Sequence, residues 1–343
     1  MTGEKPLNIY ARFFRARRFA PAPNELQLLR RASLAYPELQ FDDLTGEILA
    51  QVNQEHGTDF ATALFYDRLR RSEKHGPFIA AVDAIEPNLE QLPQLPGKLL
   101  IAPAAFYRQV PELGGDGRLI ADIGADFGLE TRVLPLLSTG SVRANAAIIR
   151  QALAQEADGS VILASLSKGG ADLRVALETD PSLCRKIRVW IQIGGLVRGS
   201  PLINALLNGC WWQQLLLYAY LVSIRASWQL LPELKSGPST LLGRPPGPFP
   251  GVQIINVIGC PLTYQMIGNR QIRYQYLSAL GPNDGSTLLA EAILEPGLIY
   301  PLWGADHYFR VPQTSRLLYQ LFLYLSQSGQ FEPIAKENKL LVG

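Results

Sequence analysis

Histidine, cysteine and methionine are scarce in this chain of 343 residues, which holds three, three and two of them. Cys184, Cys210 and Cys260 are odd in number, widely spaced and without a CxxC pair. That argues against a disulfide framework and a thiolate zinc site, and it fits a reducing, cytoplasmic setting. Neither sign of charge dominates: the formal net charge is +2, so composition gives no nucleic-acid footprint. No G-x-x-x-x-G-K-[ST] run occurs, and Gly114-Gly-Asp-Gly117 is not a phosphate loop. No stretch reaches the roughly 20 apolar residues that span a bilayer. The first residues are polar with no apolar h-region behind them, so no secretory signal is expected. Tyr10-Ala-Arg-Phe-Phe-Arg-Ala-Arg-Arg18 is basic and aromatic; a membrane-surface or transit segment competes with a docked tail, and the tail is the expectation.

What is present in quantity is apolar side chain, 47% of the sequence, enough for one large domain or a domain with an appendage. Residues 1-95 read as a helical N-terminal appendage. Asn24 can cap a helix carrying Leu26, Leu28 and Leu29 that ends before Pro37; Asp42 or Asp43 can open a second and Thr58 a third. His56 and His75 lie near helix ends, where a solvated or capping role is expected. Pro87, Pro93 and Pro96 punctuate a linker.

From Gly97, residues 96-343 alternate apolar strands with helical spacing. Strands are expected at 98–102, 130–136, 161–166, 187–193, 252–258 and 298–302, with helices at 115–127, 141–157, after Ser167 and at 314–326. A βαβαβ series calls for a parallel sheet covered by helices on both faces, with ligands at the carboxyl ends of its strands. Residues 196-250 interrupt the rhythm. Their first half is apolar and helical, with Trp211, Trp212 and Leu215 to Leu217; their second half is crowded with proline and glycine and reads as loop. This is a cap packed on the core, or a lid over an apolar pocket, or both. Exposing one large apolar side chain costs about 1.5–3 kcal/mol, so the patch wants a partner: the core, another subunit or a lipid surface.

The chemistry concentrates at Val161-Ile-Leu-Ala-Ser-Leu-Ser-Lys-Gly-Gly170. An apolar strand breaks at Ser167 and runs into a helix, and Ser165-Leu-Ser-Lys-Gly169 has the small-x-Ser-x-small form of a nucleophile elbow. The competing reading is an ordinary strand-to-helix turn with a serine cap. A serine nucleophile needs a base, and the base needs an acid to fix its tautomer. Only His307 follows the elbow, in a turn after the last strand; Asp284 precedes it in Gly281-Pro-Asn-Asp-Gly-Ser286, itself a turn signal. Asp306 is the rival acid.

Three turns in this order, Ser-Leu-Ser-Lys-Gly-Gly, Pro-Asn-Asp-Gly and Gly-Ala-Asp-His, resemble the catalytic turns of α/β-hydrolases of the lipase/esterase kind, from about Gly97 to Ser328. The resemblance implies an α/β-hydrolase fold with a helical cap or lid insertion. It implies Ser167 as nucleophile, His307 as base and Asp284 as orienting acid. It places the oxyanion hole at the N–H of Lys168 and at a second N–H from the loop after residues 98–102. That loop reads Pro103-Ala-Ala-Phe106 where the family often has His-Gly, and Ala105 is the expected donor. The Lys168 side chain is expected in solvent. The implied reaction is hydrolysis of a carboxylic ester with an apolar acyl group, without metal or organic cofactor, by a cytoplasmic protein with peripheral contact to a lipid interface. Thioester cleavage or acyl transfer with the same residues, and a non-catalytic binding module, are the alternatives.

Overall fold

The computed structural model describes residues 22–328; the basic aromatic segment Tyr10 to Arg18 lies outside them. Six strands, β1 (Lys98–Ala102), β2 (Glu130–Val133), β3 (Val161–Leu166), β4 (Ile187–Ile193), β5 (Gln253–Cys260) and β6 (Leu298–Trp303), pair in the order β2-β1-β3-β4-β5-β6. Every pairing is parallel. Residues with period-two alternation divide between the two faces. Leu99, Ile101, Ile162, Ala164, Val189 and Ile191 enter one core; Leu100, Ala102, Leu163 and Trp190 enter the other. A strand buried on both faces is mostly apolar, which is why β1 and β3 read as near-continuous apolar runs; the buried exceptions Gln192 and Asn256 donate to the carbonyls of Ala292 and Leu294. Pro301 sits in β6, the edge strand, where a missing N–H is tolerated.

The first face carries α1 (Pro23–Leu34), α2 (Gly46–His56), α3 (Thr58–Arg71), α4 (Gly76–Ala84), α5 (Arg118–Asp126) and α11 (Pro312–Gln327). The second carries α6 (Val142–Ala154) and α7 (Lys168–Thr179). Two of the expected caps shift. Ala22 rather than Asn24 precedes α1, and Thr45, whose hydroxyl accepts from the Ile48 N–H, opens α2 after a single turn at residues 41–43. Ser141 caps α6 as expected, accepting from the Ala144 N–H. Helix α4 has no counterpart in the sequence expectation; Pro77 in its first turn suits a helix start.

The N-terminal helices are tied to β5, β6 and the segments around them by buried polar contacts as well as apolar packing. Buried Glu25 accepts from Tyr264, Gln265 and the Trp303 indole. Asp59 accepts from the Thr263 N–H and hydroxyl, both at 2.8 Å, and the Tyr300 phenol donates to Asp83. His75 departs from expectation: it is fully buried against Phe41, with ring centroids 5.2 Å apart, and neither ring nitrogen has a hydrogen-bond partner.

Between β4 and β5 lie α8 (Pro201–Leu207) and α9 (Trp211–Ser223), then a proline- and glycine-rich loop. Helix α10 (Asn269–Ser278) occupies a stretch the sequence pattern leaves irregular. No helix among the described residues is long and apolar enough to cross a membrane.

Candidate active site

Ser167 occupies the turn between β3 and α7 with φ 50° and ψ −118°. A serine with positive φ is strained, and its surroundings must hold it there. Its N–H donates to Ile193 O at 3.1 Å and its carbonyl accepts from the Leu196 N–H at 3.1 Å, so β4 and the segment after it clamp the turn. Two residues on, Gly169 passes so close to β1 that a Cβ there would lie 2.3 Å from the Ala102 carbonyl oxygen. Two residues back, Ser165 fits because its hydroxyl accepts from the buried Trp190 indole at 2.8 Å. These contacts give the small-x-Ser-x-small pattern its physical reason.

The His307 ring reaches Ser167 with Nε2 2.8 Å from Oγ, and its Nδ1 lies 2.8 Å from Asp284 Oδ2. An ionised carboxylate can only accept, so Nδ1 carries the proton and Nε2 is left to accept from the serine hydroxyl. Asp284 is almost fully buried and held on its other oxygen: Oδ1 accepts from the N–H groups of Ser286 and Thr287 at 2.8 and 2.9 Å. The His307 N–H donates to Asp284 O at 2.9 Å, which locks the two turns together. The rival, Asp306, faces away and pairs with Arg270 on α10.

Ala105 lines the same cavity as Ser167. Its neighbours' amides are engaged, Ala104 N–H with Gly115 O and Phe106 N–H with Ser138 O, each at 2.8 Å. Among the described residues the N–H groups of Ala105 and Lys168 have no acceptor. Both stand at strand ends where the chain reverses direction across the sheet, β1 leading to one side and β3 to the other. A crevice forms at such a point. Phe106, Ser167 and Phe309, three of the five non-glycine residues with positive φ among the described residues, line this one cavity.

The cavity has a volume of about 380 Å³. Leu202, Ile203 and Leu206 from α8, with Leu217, Tyr220 and Leu221 from α9, wall it on the outer side. The outward surface of the same helices is apolar too: Trp211, Leu216 and Tyr218 are 77%, 63% and 62% exposed.

The Lys168 side chain contradicts the solvent expectation. It is buried, its Nζ is 2.6 and 2.8 Å from the Asp172 carboxylate oxygens, and Asn145 on α6 donates to the same carboxylate at 2.8 Å. Burial pushes the Asp172 carboxyl up to about 6 and pulls the Lys168 ammonium down, while each partner opposes the other's shift. The Lys168/Asp172 spacing of four on a helix was a readable signal for this pair.

No family model matches the chain, and no curated protein matches it in sequence. Solved structures do match. A metagenomic carboxyl esterase superposes over 94% of this chain and 100% of its own, with TM-score 0.58 and 19% identity. The mature form of a lipase from Bacillus licheniformis superposes over 70% of this chain and 95% of its own, with TM-score 0.50 and 17% identity. This chain has the α/β-hydrolase fold. In the frame of that fold, Ser167 follows β3, Ala105 follows β1 and His307 follows β6, all at the carboxyl edge of the sheet. Sequence reasoning missed α10 and the two arginines it brings to this edge, Arg270 and Arg273. Among the described residues of that helix only Tyr274 and Leu277 are fully buried, and the exposed Ile272 and Tyr276 blur so short a stripe.

Proposed function

We propose that this protein is a serine hydrolase that cleaves a carboxylic ester with an apolar acyl group. The observation that carries the reading is the unbroken contact from Ser167 Oγ through the His307 ring to buried Asp284. Ser167 attacks the ester carbonyl while His307 takes its proton; the carbonyl electrons move onto oxygen and meet the N–H groups of Lys168 and Ala105. The tetrahedral intermediate collapses, the alkoxide leaves with the proton from His307, and an acyl-Ser167 ester remains. Water, deprotonated by His307, repeats the sequence and releases the acid and the free serine.

The apolar cavity walls support an acyl chain as the buried part of the substrate. The segment 196-250 is read as a lid: α8 and α9 wall the cavity inside and present tryptophan, tyrosine and leucine outside, a composition suited to a lipid interface. Residues 1-95 are read as an appendage to the hydrolase domain 96-343, supported by the packing of α3 onto β5 and β6 and of α4 onto β6 and α11, with α1 and α2 against α3. A cytoplasmic setting with peripheral lipid contact belongs to the same reading, in keeping with three unpaired cysteines.

The test is a series of 4-nitrophenyl esters of graded chain length. The reading expects turnover that rises with chain length to fill the cavity and disappears in Ser167→Ala. Turnover that survives Ser167→Ala would sink it.

A further inference from the structure

The cavity above Ser167 is walled by carbon, yet one permanently charged side chain lines it: Arg273, from α10. No aspartate or glutamate among the described residues lines it with Arg273. Arg270, one turn earlier, is neutralised by Asp306. Arg273 has no such partner among the described residues. Its Nη2 donates to the Tyr308 phenol at 2.8 Å, and its guanidinium lies 5.6 Å from the centre of that ring. The loop after β1 repeats the arrangement. Exposed Arg108 lies 5.4 Å from the Tyr107 ring centre and donates from Nε to the Tyr107 phenol at 3.0 Å. Both tyrosines line the cavity. Of the carboxylates around it, Asp284 is bonded to His307 and Asp306 is paired with Arg270, while Glu112 and Asp116 line the adjoining cavity with Arg118 and Arg310, where Asp116 pairs with Arg118.

A guanidinium bonded to the phenol of a neighbouring tyrosine is held in place but not satisfied. It has five N–H donors and one phenol uses only one of them. The remaining fork fits the two oxygens of a carboxylate or phosphate. Two such groups on separate segments, beside an apolar cavity with no carboxylate in its lining, attract an anion more strongly than either would alone.

We propose that the ligand of this cavity is an anionic amphiphile, an apolar chain with a carboxylate or phosphate group that stays at the mouth, and that Arg273, helped by Arg108, selects it. As a statement about substrate, this rests on the hydrolase reading above; as a statement about binding, it does not.

The experiment has two arms. The first compares kcat/KM within two ester pairs: 4-nitrophenyl hydrogen suberate against 4-nitrophenyl octanoate, and the octanoyl esters of 4-hydroxybenzoate against 4-cresol. The anionic-to-neutral ratio should fall about tenfold from wild type to Arg273→Gln in at least one pair, less in Arg273→Lys, and should shrink with added salt. A ratio that Arg273→Gln leaves unmoved in both pairs, even if both rates drop, overturns the proposal and makes Arg273 a mere support for Tyr308. The second arm measures calorimetric binding of octanoate, octyl phosphate and 1-octanol. The affinity of at least one anion should fall about tenfold relative to octanol in Arg273→Gln, and which anion responds separates carboxylate from phosphate. If wild type hydrolyses no ester but anion binding depends on Arg273, the hydrolase reading fails and this one stands. If esters are cleaved but neither arm responds to Arg273, this one fails alone.

Discussion

Helices α7 and α9 invert each other. Helix α7 starts with a lysine and carries an aspartate and an arginine within its first seven residues, yet every residue from Lys168 to Leu177 is buried. Helix α9 carries no charged residue at all, yet of its thirteen residues only Leu221 is buried. Position in the fold, not polarity, decides which is covered. Helix α7 sits between β3 and α6, so its charges must be satisfied internally. Lys168 and Asp172 pair beside Asn145, and Arg174 donates to the carbonyls of Val197, Leu242 and Arg244, tying the helix to the segment between β4 and β5. Helix α9 lies outside the sheet and its apolar surface has no such cover. The contrast separates a helix held in fixed geometry from one whose apolar side chains stand largely in solvent.

The largest effects should come from the rigid side. Asp284→Asn should lower kcat about 10⁴-fold by unsettling the His307 tautomer. Asp306→Asn, whose carboxylate faces Arg270, should cost less than about tenfold, because no hydrogen bond to the imidazole is lost. Ester kinetics on both variants decide it, and the reverse order would reassign the acid. Next is the pair inside α7. Lys168→Met should destabilise by about 3–5 kcal/mol, by leaving Asp172 buried and uncompensated, and Lys168→Met/Asp172→Leu should recover most of that loss in urea melts. Equal loss in single and double variants would mean that packing, not charge, sets the effect.

The exposed helix should respond in the opposite sense. Trp211→Ser/Leu215→Ser should shift stability by less than about 1 kcal/mol, since both side chains are largely in solvent. The same change should weaken binding to phosphatidylcholine vesicles and any rate gain on emulsified long-chain esters; vesicle co-sedimentation reads this directly, and unaltered binding would remove the lid's claim to an interface.

A further effect, visible only as pH falls, concerns His75. Burial, with Lys74 nearby, holds its ring down to about 4 against an ordinary value of 6.5; Glu295 and Asp42 oppose that shift. Between those values the unfolded chain binds a proton that the folded chain refuses. The stability from a neutral His75 is therefore present above about pH 6.5 and is lost as pH falls toward about 4. The Tm of wild type should accordingly drop more steeply over this window than that of His75→Leu; parallel curves would show the ring to be neutral in its effect.

Much of the sheet was legible because a doubly covered strand is apolar along most of its length, and Leu99 to Ala102 are the plainest case. The elbow was legible because close approach at Gly169 leaves a trace in residue size. Asp284 and His307 could be paired by chain order, since one histidine alone follows the serine. The contents of the site beyond that were hidden. Lys168 looked solvated because a lysine carries no mark of depth, and only Asp172 four residues later hinted otherwise. Helix α10 packs through few apolar positions, so its periodicity is faint, and Arg273 came with it unseen. His75 looked like a helix-end residue and is one, but the Phe41 ring beside it comes from a turn far earlier in the chain.

The central claim is that Ser167 is an activated nucleophile. Labelling the intact protein with a fluorophosphonate and mapping the adduct by mass spectrometry tests it most directly. The account predicts one label per chain, on Ser167, abolished by Ser167→Ala and strongly slowed by Asp284→Asn. Folded protein that takes up no label, or takes it up elsewhere, would contradict it.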